Sequence, residues 1–234
     1  MVQDRSILAH YRLVHSHLHL AVTLNATTTF YEAMPLRPTP QIISRVLRQL
    51  LRFDSVFTDF NAPACTAGCA SSTEPPCASC ASKMQIASWT LAAPDSRSWE
   101  VWKTEEDAST LVGLITFTRI QHGKDALAHY VFFDNDLRGK TTVLRDVLAW
   151  AFENHPEDGW QALRRLTIEI PTPFFALANH ASRYLGFNGP FEHTVTTARG
   201  RRKQLKVEGI KRNSVMWRGE PVDVLVLSTL NHKS

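Results

Sequence analysis

All four cysteines of the chain, Cys65, Cys69, Cys77 and Cys80, fall in one short polar segment. The Cys77-x2-Cys80 half has the spacing of a zinc knuckle and the Cys65-x3-Cys69 half is looser. Four thiolates so grouped can hold one Zn2+ tetrahedrally. Four sulfur ligands leave no open position, so such a metal is structural and not catalytic. The alternatives are free thiols in an unpacked loop, or disulfides in an exported protein. His15, His17 and His19 alternate, which on a strand puts them on one face. That is a possible metal patch, and a plain polar strand face explains it more simply. A third group, Arg138, Gly139, Lys140, Thr141 and Thr142, runs into an apolar-periodic stretch. Free amides at a helix N-terminus, a glycine for close backbone approach and two cations make an anion cradle. Asp134 and Asp136 stand beside it and repel a phosphate unless they cap the helix.

Charge points to a fourth group. The formal net charge is +4, yet Arg199–Arg218 holds eight Lys/Arg against the single acid Glu208, a segment of +7 on a body of −3. A solvated hairpin accounts for this. So does contact with an anionic partner: a cofactor phosphate, an acidic protein or a nucleic acid. No aromatics interleave Arg199-Gly200-Arg201-Arg202-Lys203, so base stacking is not implied.

The elements that must position these groups follow from periodicity. Leu18–Leu24 and Thr27–Tyr31 are rich in β-branched and aromatic residues and read as one or two strands. Ile42, Ile43, Val46, Leu47, Leu50 and Leu51 form one helical stripe, with Thr39 as N-cap and Pro40 in the first turn. Asn61 to Ser82 lacks any large aliphatic or aromatic side chain and reads as an inserted loop, taken as residues 61–83 of a single domain 1–234. Strands are expected at Trp99–Lys103, Leu111–Thr118 and Ala126–Phe133, with a turn at His122–Asp125. A helix over Thr141–Glu153 precedes a strand over Leu166–Ile170 and a second helix over Phe174–Leu185, with Gly186 as its C-cap. Two or three strands close the chain, the last at Val222–Leu227. A strand–helix–strand crossover requires parallel pairing within an otherwise antiparallel set. The expected architecture is a mixed α/β fold: a mostly antiparallel central sheet with a parallel crossover and helices on both faces.

This order resembles the Gcn5-related N-acetyltransferase superfamily over roughly residues 99–230. The resemblance is carried by Ala128–Thr142 leading into Val143–Phe152, by Tyr184-Leu185-Gly186-Phe187, and by Trp217-Arg218-Gly219-Glu220-Pro221-Val222-Asp223-Val224-Leu225-Val226-Leu227. It implies acetyl- or other acyl-coenzyme A, with the pyrophosphate held by Arg138, Gly139, Lys140, Thr141 and Thr142. The backbone of Val131, Phe132 and Phe133 would run along the pantetheine arm. Transfer to an amine then needs a base and an acid. The base candidates are Glu169, at the end of the crossover strand, and His129; the acid candidates are Tyr184 and Ser182. Aligned on Gly139, the family's glycine-loop pattern meets Asp136 and Thr141 at its outer positions, both off-pattern.

Composition bounds the remainder. With 44% hydrophobic and 21% charged residues, the chain has an ordinary globular profile. No apolar run approaches the roughly 18 residues of a membrane helix. Met1–His10 has no apolar core after a basic start, so a cytoplasmic location, bacterial or phage, is expected. The leading expectation is an N-acyltransferase acting by direct attack of an amine (on a small molecule, a protein N-terminus or a nucleobase) in a ternary complex. The alternatives are a nucleic-acid-modifying or -binding protein on the same fold, and a non-catalytic interaction module.

Overall fold

A computed structural model of the chain describes residues 11–14, 17–24, 27–53, 68–69, 75–106, 108–133, 140–171, 173, 193–196, 202–217 and 219–230. Side chains are not described for 11–28, 140–141, 193–196, 202–207 and 229. The elements are β1 (Tyr11–Val14), β2 (His17–Leu24), β3 (Thr27–Pro35), α1 (Pro40–Leu50), α2 (Ala78–Ala92), β4 (Arg97–Glu105), β5 (Ala108–Gln121), β6 (Asp125–Phe132), α3 (Lys140–Trp150), β7 (Arg165–Pro171), β8 (His193–Thr196), β9 (Arg202–Trp217) and β10 (Glu220–Leu230). The strands form one sheet in the order β1-β2-β3-β4-β5-β6-β7-β10-β9-β8. Neighbours are antiparallel except β6 and β7, which α3 joins as a parallel crossover. The expected mixed sheet is therefore present.

Alternation along β5 shows why both faces carry helices. Ile115 and Phe117 join Trp99, Val101, Ala128, Leu166 and Ile168 in a core closed by Val143, Leu144, Val147 and Leu148 of α3. Leu114 points the other way, into a second core with Val46, Leu47 and Leu50 of α1, Leu91 of α2 and Phe133. Each fully buried aliphatic side chain contributes about 1.5–3 kcal/mol. The register of β4 on β5 jumps from Val101↔Gly113 to Trp102↔Leu111, so Val112 is an extra residue in a β-bulge. The bulge reverses the parity: Val112 joins the α3 core and Leu111 packs on the opposite one.

Helix α1 starts where the sequence places it. Thr39 is its N-cap, and the Ile42 amide donates to Thr39 Oγ1 at 3.4 Å. Two expectations need correction. Residues 78–82 are the first turns of α2 and not loop. Alanine needs no apolar periodicity to be helical, and the chain enters the helix directly after Pro75-Pro76-Cys77. Helix α3 also stops at Trp150, and Ala151–Glu153 form turns that return the chain toward β7. The helix expected over Phe174–Leu185, with Gly186, lies outside the described residues. Among the described residues, no helix is long and apolar enough to cross a membrane.

Candidate active site

The parallel ladder between β6 and β7 runs only from Asp125↔Arg165 to Ala128↔Ile168. Both strands continue beyond it. β6 stays paired with β5 as far as Phe132↔Gly113. β7 stays paired with β10 as far as Pro171↔Val224. The two central strands thus part after Ala128 and Ile168, leaving a wedge that opens toward their C-terminal ends. The Phe133 amide donates to the Val112 carbonyl at 2.9 Å, so odd-numbered residues of β6 turn their peptide groups toward β5. By the alternation of an antiparallel ladder, the peptide groups of Tyr130 and Phe132 turn toward the wedge. Helix α3 begins at Lys140, beyond the end of β6, and the amides of its first turn have no partner within the helix.

His129 and Glu169 are the first residues past the last paired position, so they share the face opposite Ala128 and Ile168. The structure brings these two sequence candidates together. Glu169 Oε1 is in a very short ion pair with Lys211 Nζ, from β9. Glu169 is at Val226 of β10 in the ladder, and β9 lies on the far side of β10, so the lysine side chain reaches across one strand. His129 Nε2 lies 3.1 Å from Thr118 Oγ1. Although His129 retains exposed surface, the packing around its ring is dense enough that desolvation holds its pKa below the ordinary histidine value. The Glu169 carboxylate raises it and Arg119 lowers it further. Arg119 sits at φ 53 in a break in the β5–β6 register between Thr118 and Gln121. Beside His129 in the strand, burial raises the Tyr130 phenol above its ordinary value. A neutral imidazole next to a clamped carboxylate is an arrangement that can accept and pass on a proton.

Of the other sequence candidates, Val131 packs partly on the α1–α2 core, and Phe133 is buried there against Phe53, ring centroids 5.8 Å apart. Phe132 packs on the α3 core. Lys140 and Thr141 open α3, and Thr142 Oγ1 accepts from Arg145 Nη2 at 3.4 Å. Arg138, Gly139, Ser182, Tyr184 and Cys65 lie outside the described residues, while Cys69, Cys77 and Cys80 converge. His17 and His19 hold alternate positions of β2; His15 is outside the described residues. Within the basic segment, Lys211 pairs with Glu169 of β7 and Arg212 with Asp223 of β10, so two of its charges meet acids of the same sheet. Asp223 also accepts from the Asn213 amide at 2.9 Å, which with Arg212 holds its carboxyl below the usual range. Sequence reasoning missed Thr118, Arg119 and Lys211 as members of this site, and Tyr130 only as a peptide group turned toward the wedge. Only for Tyr130 did a signal exist, in the alternation of the strand.

A cleft of about 410 Å3 lies elsewhere, beside the β3–α1 connection, lined by Leu36, Leu91, Ile120 and Trp160. It contains neither Glu169 nor His129, and its charged members Arg97 and Asp158 are paired with each other at 3.4 Å.

No protein-family model and no curated protein matches the chain. Solved structures do. A "probable acetyltransferase" of the GNAT (Gcn5-related N-acetyltransferase) family from Chromobacterium violaceum is 18% identical, with 98% of this chain and 96% of that one covered and a TM-score of 0.53. RimJ of Mycobacterium smegmatis, in complex with CoA-disulfide, is 15% identical over 86% of this chain and 82% of that one, TM-score 0.52. Spermidine N-acetyltransferase from Vibrio cholerae, in complex with CoA and spermine, is 13% identical over 86% and 95%, TM-score 0.51. This likeness establishes the fold: it is that of the Gcn5-related N-acetyltransferases.

Proposed function

We propose that this chain is an acyl-coenzyme A-dependent N-acyltransferase with Glu169 as its general base. The reading is carried by one juxtaposition: Glu169 and His129 at the mouth of the wedge where β6 and β7 part, with the first turn of α3 beyond it. The two neighbours that hold coenzyme A derivatives support it by fold. The residues present fit such a cofactor. Peptide groups of Tyr130 and Phe132 turned toward the wedge suit an extended amide-containing arm, and the amides of Lys140, Thr141 and Thr142, with Arg138 and Gly139, suit a pyrophosphate.

When bound, the thioester supplies an activated acyl carbon. Glu169 takes the proton of the attacking amine, a step that positioned bases accelerate typically 10²–10⁴-fold. Lys211 holds the carboxylate in place until the substrate's own ammonium replaces it. His129, kept neutral at pH 7 by its lowered pKa, passes the proton toward solvent. Tyr184 and Ser182 are the candidates for returning one to the leaving thiolate. Acetyl is the expected acyl group. The acceptor is a primary amine. A nucleic-acid partner gains no support from the described part of the basic segment.

The test combines acetyl-coenzyme A binding by calorimetry with thiol release over a panel of amines. Binding with turnover is expected. Glu169→Gln should lower kcat at least about 100-fold while leaving acetyl-coenzyme A affinity within a few fold. Lys211→Met should change kcat/KM for the amine yet move stability by under about 1 kcal/mol, because the pair is half-exposed. No binding of acetyl-, propionyl- or succinyl-coenzyme A would overturn the proposal.

A further inference from the structure

We propose that Cys69, Cys77 and Cys80 form a structural zinc site that staples the start of α2 to α1. The three Sγ atoms lie within 4.8 Å of one another. Tetrahedral zinc with Zn–S bonds of about 2.3 Å places its sulfurs roughly 3.8 Å apart, so the cluster is within an ångström of coordination distance. Cys69 and Cys80 are buried, at 4% and 1% exposure, and Cys77 is half-buried.

The local chain explains how the sulfurs meet. Cys77 is the N-cap of α2 and Cys80 lies in its first turn, so the x2 spacing puts both at the helix N-terminus. Amide donors and the helix dipole favour thiolates there. The chain before α2 brings in Cys69, whose Sγ accepts a hydrogen bond from the Cys77 amide at 3.3 Å. Such N–H···S contacts orient metal thiolates and lower their charge. Arg48 Nη1 of α1 donates to the Cys69 carbonyl at 3.4 Å, which fixes the cluster to the neighbouring helix.

The need for a staple follows from composition. Asn61 to Ser82 has no large apolar side chain, so the segment around Cys69 brings little hydrophobic burial of its own. Metal–thiolate bonds can hold it in place. The chain has one further cysteine, Cys65, and substitution decides whether it supplies the fourth ligand. A four-sulfur site is closed to substrate, so its role is mechanical. Binding replaces the thiol protons by the metal and involves no redox change. Helices α1 and α2 share one core with Leu114, Val131 and Phe133, so the staple also steadies the strand that forms one wall of the wedge.

The test uses the full chain expressed with zinc supplied. Elemental analysis should find about one zinc per chain after dialysis. Replacement by Co2+ should give the intense visible and near-ultraviolet bands of tetrahedral thiolate cobalt. A strong chelator should remove the metal and lower the melting temperature, and returning zinc should restore it. Cys80→Ser should lose the metal; Cys65→Ser tests the fourth position by weakening the cobalt charge-transfer band. Because Cys80→Ser can fail to fold, the chelation cycle on the unaltered chain stands as the independent measurement. Metal-free protein that gives no cobalt spectrum would overturn the proposal, as would a disulfide among these cysteines in the intact mass.

Discussion

Replacing Gly113 by alanine tests how tightly the wedge wall is built. Gly113 faces Phe132 across the β5–β6 ladder. A Cβ at this position would lie 2.6 Å from Phe132 Cδ1 and 2.9 Å from the Val131 carbonyl oxygen. Carbon atoms pack best at about 3.5–4.0 Å, so the ring must retreat by roughly 1 Å. It has little room, because Phe132 packs against the α3 core and lies 6.0 Å, ring to ring, from Tyr130. The carbonyl is backbone in a ladder and cannot rotate away alone. Overpacking of this kind costs about 1–3 kcal/mol. For a chain of this size each kcal/mol moves the melting temperature by about 2–4 °C, so Gly113→Ala should lower it by roughly 2–12 °C. The displaced atoms also belong to the strand proposed to hold the cofactor, so acetyl-coenzyme A affinity should fall as well. Gly209, in β9, provides the control: among the described residues, nothing lies within 4 Å of its added Cβ. Gly209→Ala should be neutral or stabilising by up to about 1 kcal/mol. Differential scanning calorimetry and binding titrations of both variants decide the matter. If Gly113→Ala melts and binds like the parent, or if Gly209→Ala is equally damaging, close approach is not what this glycine provides.

Two more predictions concern buried charge. Burial raises Asp146 of α3 from 3.8 to about 6, with Arg145 opposing the shift. A folded pKa above the unfolded one means that the folded state gains from the protonated form below about pH 4 and loses that gain as pH rises to about 6, some 3 kcal/mol in all. Asp146→Asn should therefore melt higher than the parent at pH 8, with the difference shrinking as pH falls from 6 toward 4; a pH-independent difference would refute this. Glu100 of β4 is 6% exposed and receives Arg45 Nη2 at 2.6 Å and Trp102 Nε1 at 3.3 Å. Arg45→Met should lose about 3 kcal/mol in denaturant titration by leaving a buried carboxylate without its cation, and adding Glu100→Gln should recover part of it.

What the sequence made legible depended on whether the signal was local. The apolar stripe of α1, the runs of β5, β6 and β7 and the crossover around α3 are written in residue periodicity, and they are where the periodicity puts them. Helix α2 was hidden, because a run of Ala, Ser and Cys has helical propensity but no stripe, and its exposed face carries Ile86 and Trp89. Glu169 and His129 were each identifiable as titratable residues on adjacent strands. That they meet depends on the β6–β7 register, and no local pattern encodes it. By sequence, Lys211 belongs to a basic segment that suits a solvated hairpin or an outside anion equally. It finds its anion within the sheet, because β9 lies one strand from β7 and the lysine side chain reaches across β10.

The wedge itself traces to how β6 is held on its two sides. On the β5 side, Gly113 leaves the space that the Phe132 ring and the Val131 carbonyl fill, and the bulge at Val112 adds a residue beside it. On the β7 side the ladder has already ended, at Ala128↔Ile168. A strand that stays paired with one neighbour where it leaves the other opens a gap without losing its own support. Backbone groups facing such a gap must find partners other than the opposite strand. β6 keeps its pairing through β5, and β7 keeps its pairing through β10, so each wall of the gap is held by its other neighbour. Pre-formed walls reduce what binding must spend on ordering. The same logic says which damage should matter most. Substitutions that loosen β5 against β6, such as Gly113→Ala, should harm cofactor affinity more than their stability cost alone accounts for. Equally destabilising changes at the Arg45–Glu100 pair, on the α1 side of β4, should leave that affinity intact.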